Sequence, residues 1–260
     1  MGSVLNLEFL KLPETTEIKD LDAPIVSEIH KEILSKKYIL RKIYIDFYQT
    51  FKNALADRLS GLVVEIGSGG GFLKEVIPEV ITTDVSPSPS IDFIIKDNQL
   101  PFQNNSVRAF FLQNVLHHVS NPKVLFFELE RCLINGGKII MIEPYVSLWG
   151  RFIYEHFHHE PCNVHSGWET IGTGRLTGAN SALPWIIFCR DKKIFEKEFP
   201  GLEIKKIVPH TPTLYLISGG FSFKQLLPNY TYNFLKVIEV LLSPFNRFIG
   251  MFVTIELEKK

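Results

Sequence analysis

The chain reads as an α/β protein: a doubly wound, mostly parallel sheet of seven strands, with helices ahead of the first strand and a long insertion after the fifth. Three observations predict this. From about residue 62 onward, short apolar runs alternate with stretches of helical spacing, the pattern of strands joined by crossover helices. The first run, Val63-Val64-Glu65-Ile66, breaks into Gly67-Ser68-Gly69-Gly70-Gly71, and the second, Ile81-Thr82-Thr83-Asp84, closes on an acid. Nearly all of the remaining runs are bounded by glycine, proline or asparagine, where strands and helices end.

The elements follow in order. Between residues 24 and 58, Ile25, Ile29, Ile33, Leu40, Tyr44, Phe47, Phe51 and Leu55 recur at helical spacing with charges between them, so this segment is predicted as helices. Arg41, Tyr44 and Tyr48 are its candidates to face a site. The first two strands are those above; Ile91 to Ile95 is the third and Val107 to Leu112 the fourth. A helix starts past Asn121-Pro122, and Gly137 to Ile142 is the fifth strand. Leu202 to Val208 is the next strand, and Met251 to Glu258 closes the sheet after an apolar helical stretch from Thr231 to about Leu242, expected to face the core. We divide this single domain, residues 1–260, into an N-terminal helical segment (1–58), a binding core (59–144), an insertion (145–200) and a C-terminal part (201–260).

The glycine run is informative about chemistry. Glycines after a buried strand let the backbone turn sharply and come close to a ligand, because a Cβ there would block contact or forbid positive φ. A G-x-G-x-x-G dinucleotide fingerprint would need glycine at position 72, where the chain has Phe72, and no G-K-[ST] of a P-loop follows, since Lys74 comes after Leu73. A ligand with ribose and adenine but no phosphate fits better. Asp84 stands where a carboxylate accepts hydrogen bonds from vicinal ribose hydroxyls, and the same residue in front of Val85-Ser86-Pro87 could instead accept local backbone N–H groups. Asp97 and Asn98 can read an adenine edge or cap a turn.

Taken together, V-V-E-I-G-S-G-G-G, T-T-D-V, K-D-N-Q-L-P-F, N-V-L-H-H-V and L-I-N-G-G-K-I-I-M-I-E-P, between residues 62 and 144, resemble the class I S-adenosylmethionine-dependent methyltransferases that act on small molecules. The resemblance implies a Rossmann-like methyltransferase fold with an antiparallel last strand and S-adenosylmethionine as cofactor. It places Glu65, Gly67, Ser68, Gly69 and Gly71 around the methionine part, Asp84 at the ribose, Asp97 and Asn98 at the adenine and Asn114 beside the sulfonium. One departure is Arg108, at the start of the fourth strand, where the family usually has an acid.

The insertion leaves Glu143-Pro144 and runs for about 60 residues, far longer than the usual ~2–6-residue connection, so it is expected to build an acceptor pocket. Trp149 to His159 reads as an amphipathic helix and Ser166 to Asn180 as a loop. His117 and His118, just past the fourth strand, are the catalytic candidates for a general base toward a hydroxyl acceptor; both could equally be structural residues of a helix start. His156, His158, His159, Glu160, Cys162 and His165 cluster in the insertion, yet their spacing fits no familiar zinc fingerprint, and no metal is expected.

Composition narrows the partners. Lys and Arg total 28 and Asp and Glu 28, so no net field draws nucleic acid, and no basic stripe is present. Three widely spaced cysteines, Cys132, Cys162 and Cys189, argue for a reducing compartment, the cytoplasm by default. No apolar stretch of about 18 residues occurs, and membrane contact is disfavoured. The expected activity is methyl transfer to a small-molecule acceptor, on oxygen first; a non-catalytic partner subunit of the same fold, or an NAD-dependent oxidoreductase, are the alternatives.

Overall fold

The computed structural model describes residues 8–260 apart from 17, 56–58, 96–98, 159, 170–173 and 175. Its strands are β1 (Leu62–Ile66), β2 (Ile81–Asp84), β3 (Phe93–Ile94), β4 (Val107–Gln113), β5 (Leu133–Pro144), β6 (Leu202–His210) and β7 (Phe252–Lys259). Helices are α1 (Pro13–Thr16), α2 (Ile25–Lys36), α3 (Tyr38–Ala54), α4 (Pro122–Cys132), α5 (Leu148–Phe157), α6 (Leu183–Trp185), α7 (Lys192–Glu198), α8 (Leu214–Ser218), α9 (Tyr232–Leu242) and α10 (Asn246–Ile249).

One seven-stranded sheet runs β3-β2-β1-β4-β5-β7-β6, and all neighbours are parallel except β7 with β5 and with β6. The chain leaves β1 toward β2 and β3, then returns to the other flank of β1 at β4. Ile66 therefore pairs with Thr83 on one side and Leu112 on the other. Connections that depart in opposite directions from adjacent parallel strands leave a crevice beyond their carboxyl ends, and this is where the glycine run and Asn114 lie.

Both faces of the sheet are covered, which is why its central strands are almost wholly apolar. Successive residues of β4 point to opposite faces. Phe111 stacks on Phe51 of α3 with ring centroids 4.7 Å apart, while Phe110 belongs to the opposite apolar cluster with Phe126 of α4, Phe188 and Phe195. Helix α4 starts where Asn121 accepts a hydrogen bond from the Val124 N–H at 3.3 Å and Pro122 fills the first helical position.

The seven expected strands and the antiparallel last strand are present. Arg108 makes a surface pair with Glu79 at 3.4 Å. Helix α9 turns one face to the core, as expected, with Tyr232 and Leu235 in an apolar cluster with α3. Tyr232, Leu235 and Glu239 are buried, whereas Phe234, Val237, Val240 and Leu241 are exposed. Polar contacts do much of the docking: Asp46 of α3 accepts from the Tyr232 hydroxyl at 2.8 Å and from Lys236 Nζ at 2.6 Å, and Glu239 accepts from the N–H groups of Thr213 and Leu214 at the start of α8. Among the described residues no helix is long and apolar enough to cross a membrane.

Candidate functional site

The site grows from the end of β1. Gly67 and Gly69 have φ of 68° and 48°, values that a side chain strains, and a Cβ on Gly67 would sit 2.6 Å from Val115 Cγ2. The turn is held by Asp84 at the end of β2: its Oδ2 accepts from the Gly69 N–H and its Oδ1 from the Ser86 N–H, both at 2.9 Å. The local reading of this carboxylate is thus met. It organises the loop, and with about four acceptor positions in all it retains capacity toward the cavity that it lines.

Glu65 is 2% exposed, and burial pushes its carboxyl up to about 7. Its Oε2, Ser68 Oγ and Asn114 Oδ1 are buried without a hydrogen-bond partner among the described residues, and all three residues line the same cavity. Buried polar atoms are almost always satisfied, and each one left over costs about 1–3 kcal/mol, so this hollow is suited to a polar ligand. Asn114 has φ 54°, a left-handed conformation that asparagine tolerates better than most residues, while its N–H donates to Ile142 O at 2.9 Å.

The cavity measures about 1260 Å³, beyond the ~300–1,000 Å³ of a usual single-ligand pocket. Aromatic residues from remote parts of the chain enclose it: Tyr44 and Tyr48 of α3, Tyr154 of α5, Tyr215, Phe221 and Phe252. Arg41, by contrast, lies over Phe72 and pairs with Glu75 at 2.6 Å. At the rim, Asp22 accepts from the Leu176 N–H at 2.6 Å and the Thr177 hydroxyl at 2.7 Å, joining the segment before α2 to the insertion.

On the other wall, β4 runs into a short 3₁₀ turn, Leu116–His118. Fully buried Glu143 of β5 anchors it: Oε1 accepts from the Val115 and Leu116 N–H groups, each at 2.8 Å, and Oε2 lies 2.6 Å from His117 Nδ1. Beyond the rings, Glu160 places Oε2 3.4 Å from His117 Nε2 and Oε1 3.7 Å from His118 Nε2. Burial works against a charged His117, but Glu143 and then Glu160 overcome it and raise the ring to about 10. Burial likewise opposes ionisation of Glu160, yet His117, with His158 and His118 farther off, holds it well below the usual carboxylate range. Both carboxylates thus favour the protonated His117 ring over the neutral one.

Of the residues singled out in the sequence, Glu65, Gly67, Ser68, Gly69, Gly71, Asp84, Asn114, His117 and His118 all line this one cavity. Asp97, Asn98 and His159 lie outside the described residues. His156 turns Nδ1 to the Phe152 carbonyl at 2.8 Å on an exposed helix face. Sequence reasoning missed the part played by Glu143, which looked like one more residue of a strand end.

Residues 64–141 match the family model described as a methyltransferase domain. No curated protein matches the chain in sequence. Among solved structures, phosphoethanolamine N-methyltransferase 2 of Haemonchus contortus is 12% identical, with a TM-score of 0.50 over 93% of this chain and 59% of that one. Geranyl diphosphate C-methyltransferase of Streptomyces coelicolor is 12% identical, with a TM-score of 0.49 over 95% and 88%. An S-adenosylmethionine-dependent methyltransferase of Mesorhizobium loti is 15% identical, with a TM-score of 0.46 over 81% and 96%. The matched residues run from within β1 to within β5 and carry the glycine turn, Asp84 and the His117–His118 pair, so this part of the chain is similar to a methyltransferase domain.

Proposed function

We propose that the protein moves the methyl group of S-adenosylmethionine to a hydroxyl oxygen of a small, partly apolar acceptor. The observation that carries this reading is the set of unsatisfied polar atoms on Glu65, Ser68 and Asn114 beside Asp84, in a cavity with room for two molecules. Glu65 would face the cationic methionine end, Asp84 the ribose diol and Asn114 the sulfonium. Asp97 and Asn98 remain our candidates for the adenine.

S-adenosylmethionine would supply a methyl carbon on a positive sulfonium, and the acceptor's hydroxyl proton would pass to His118 or to solvent. The chain's contribution is mostly placement. Holding donor and acceptor in line can supply roughly 7–11 kcal/mol of the barrier, more than the ~10²–10⁴-fold from a base. The aromatic wall excludes water and seats an apolar body, and the His117–His118–Glu160 cluster receives its polar group. His118 is the imidazole of the pair on which a base role would fall. Three free thiols suit a reducing setting, and we place the activity in the cytoplasm.

Calorimetric titration with S-adenosylmethionine, S-adenosylhomocysteine and NAD tests the reading. Binding of the first two and not of NAD, weakened about 100-fold or more in Asp84→Ala by loss of charge-assisted hydrogen bonds, is the expected result. A folded protein that binds neither would leave the partner-subunit alternative; NAD binding would favour the oxidoreductase. An acceptor screen over phenols, alcohols and amines then separates oxygen from nitrogen transfer.

A further inference from the structure

We propose that His117, His118 and Glu160 form a site for a divalent transition-metal ion of the zinc class, with an open coordination position toward the cavity. One donor atom from each of the three lies within 4.8 Å of the other two. The distances are suggestive in detail. Glu160 Oε2 lies 3.4 Å from His117 Nε2 and accepts from the Ser181 hydroxyl at 3.2 Å, and Oε1 lies 3.7 Å from His118 Nε2, longer than the ~2.7–2.9 Å of a tight charge-assisted contact. Ligands at about 2.0–2.1 Å from a tetrahedral ion are separated by about 3.3 Å, so small movements would bring these three onto one face of such a tetrahedron.

Glu143 supplies a second, independent feature. A metal-bound imidazole characteristically gives its other N–H to a carboxylate, which fixes tautomer and ring direction. Glu143 Oε2 sits 2.6 Å from His117 Nδ1, leaving Nε2 as the atom turned to Glu160, where an ion would displace the proton that the two carboxylates otherwise favour. Two imidazoles and one carboxylate are a donor set suited to zinc and its neighbours rather than to magnesium or calcium. Three protein ligands with the fourth position on a cavity is the arrangement of a reactive rather than a purely structural ion. On the methyl-transfer reading, which this inference rests on only for what the ion acts upon, the open position would take the acceptor hydroxyl. The ion would then favour ionisation of that hydroxyl, whose proton would pass to solvent before the oxygen lone pair takes the methyl carbon, and His118 would be a ligand instead of a base. Spacing along the chain hides the site, because the paired histidines and Glu160 belong to different elements.

The test uses the full chain after treatment with a chelator. Calorimetric titration with Zn²⁺ should give one equivalent, and Co²⁺ should develop the intense visible absorption of a four-coordinate ion. His118→Ala and Glu160→Gln should each weaken Zn²⁺ binding by about 100-fold or more, and Glu143→Gln by about 10–100-fold. Thermal melts establish that each variant is folded; the less buried His118 provides the variant least prone to fail. Absence of stoichiometric binding by the folded wild type overturns the proposal. So does binding that survives Glu160→Gln and His118→Ala but is lost in Cys189→Ser, since Cys189 is an exposed thiol. Titration with S-adenosylmethionine in parallel keeps the two readings apart. Cofactor binding without Zn²⁺ binding overturns this inference alone, and Zn²⁺ binding without cofactor binding overturns the methyl-transfer reading alone.

Discussion

Glu143 and His117 are joined by a 2.6 Å contact between residues that strands β4 and β5 bring together across the sheet, with both side chains almost fully buried. The carboxylate serves two functions at once. One oxygen holds the backbone of the turn after β4, and the other sets the orientation of the ring that this turn carries.

Glu143→Gln separates those functions, because an amide oxygen can still accept from Val115 and Leu116 while the negative charge is gone. The expected outcome is a kcat lower by about 10–100-fold with cofactor affinity unchanged, measured by steady-state kinetics alongside calorimetry. Equal losses in both would indicate that the turn itself had moved.

Cofactor binding should depend on pH through Glu65. Its carboxyl is raised from 4.5 to about 7 by burial, so the folded protein without ligand holds a proton there that the unfolded chain releases. Binding a cation requires that proton to leave. Affinity should therefore weaken as pH falls below about 7, approaching tenfold per unit, and level off above it. Calorimetry between pH 5.5 and 8, each value an approximate bound of the window that this shift sets, checks the slope. Glu65→Gln should flatten it.

His210 should make the fold acid-sensitive. Burial, with Lys236 a lesser cause, pushes its pKa down to about 4, and the ring stays neutral between the hydroxyls of Thr211 and Thr254 at 2.8 and 2.9 Å. Between its ordinary value of 6.5 and about 4 the unfolded chain binds the proton and the folded one does not. Stability from this residue is thus complete above the upper value and is lost as pH falls toward the lower one. Denaturant melts across that range should show a shallower decline for His210→Asn than for the wild type.

Phe51→Ala removes the ring that lies on Phe111, and both residues are fully buried. A loss of about 3–5 kcal/mol in unfolding free energy is expected from transfer and cavity effects together. Chemical denaturation at constant m-value provides the measurement, and a loss below ~1 kcal/mol would mean that α3 does not pack on the sheet as described.

What could be read from the sequence follows the range of the forces involved. Strands β1 to β5, the glycine turn and Asp84 are written in local signals: buried runs, positive-φ positions and an acid at a strand end. Helix α9 sets Tyr232 and Leu235 on the core as its apolar residues suggested, while its docking also depends on Asp46 and on Glu239 meeting α8, partners that no periodicity encodes. The helical stretch from Leu183 to Phe199 had no recognisable period because Ile186, Ile187, Phe188, Phe195 and Phe199 are all buried. Glu143 and Glu160 had no local signature, and their roles depend on which elements the fold brings to the two histidines.

The Asp22 clasp implies a difference in timing between the two halves of the cavity. Its floor is sheet and turn, whereas its cover is gathered from segments far apart in the chain and joined at the rim by hydrogen bonds that include those of Asp22. Surface segments joined by long-range contacts can open locally without disturbing the whole. Backbone amides at Leu176 and Thr177 should accordingly exchange hydrogen for deuterium long before those of β4, with the binding floor intact while the cover breathes. Molecules would then enter and leave through partial unfolding of the cover, and turnover would be linked to the free energy of that small opening.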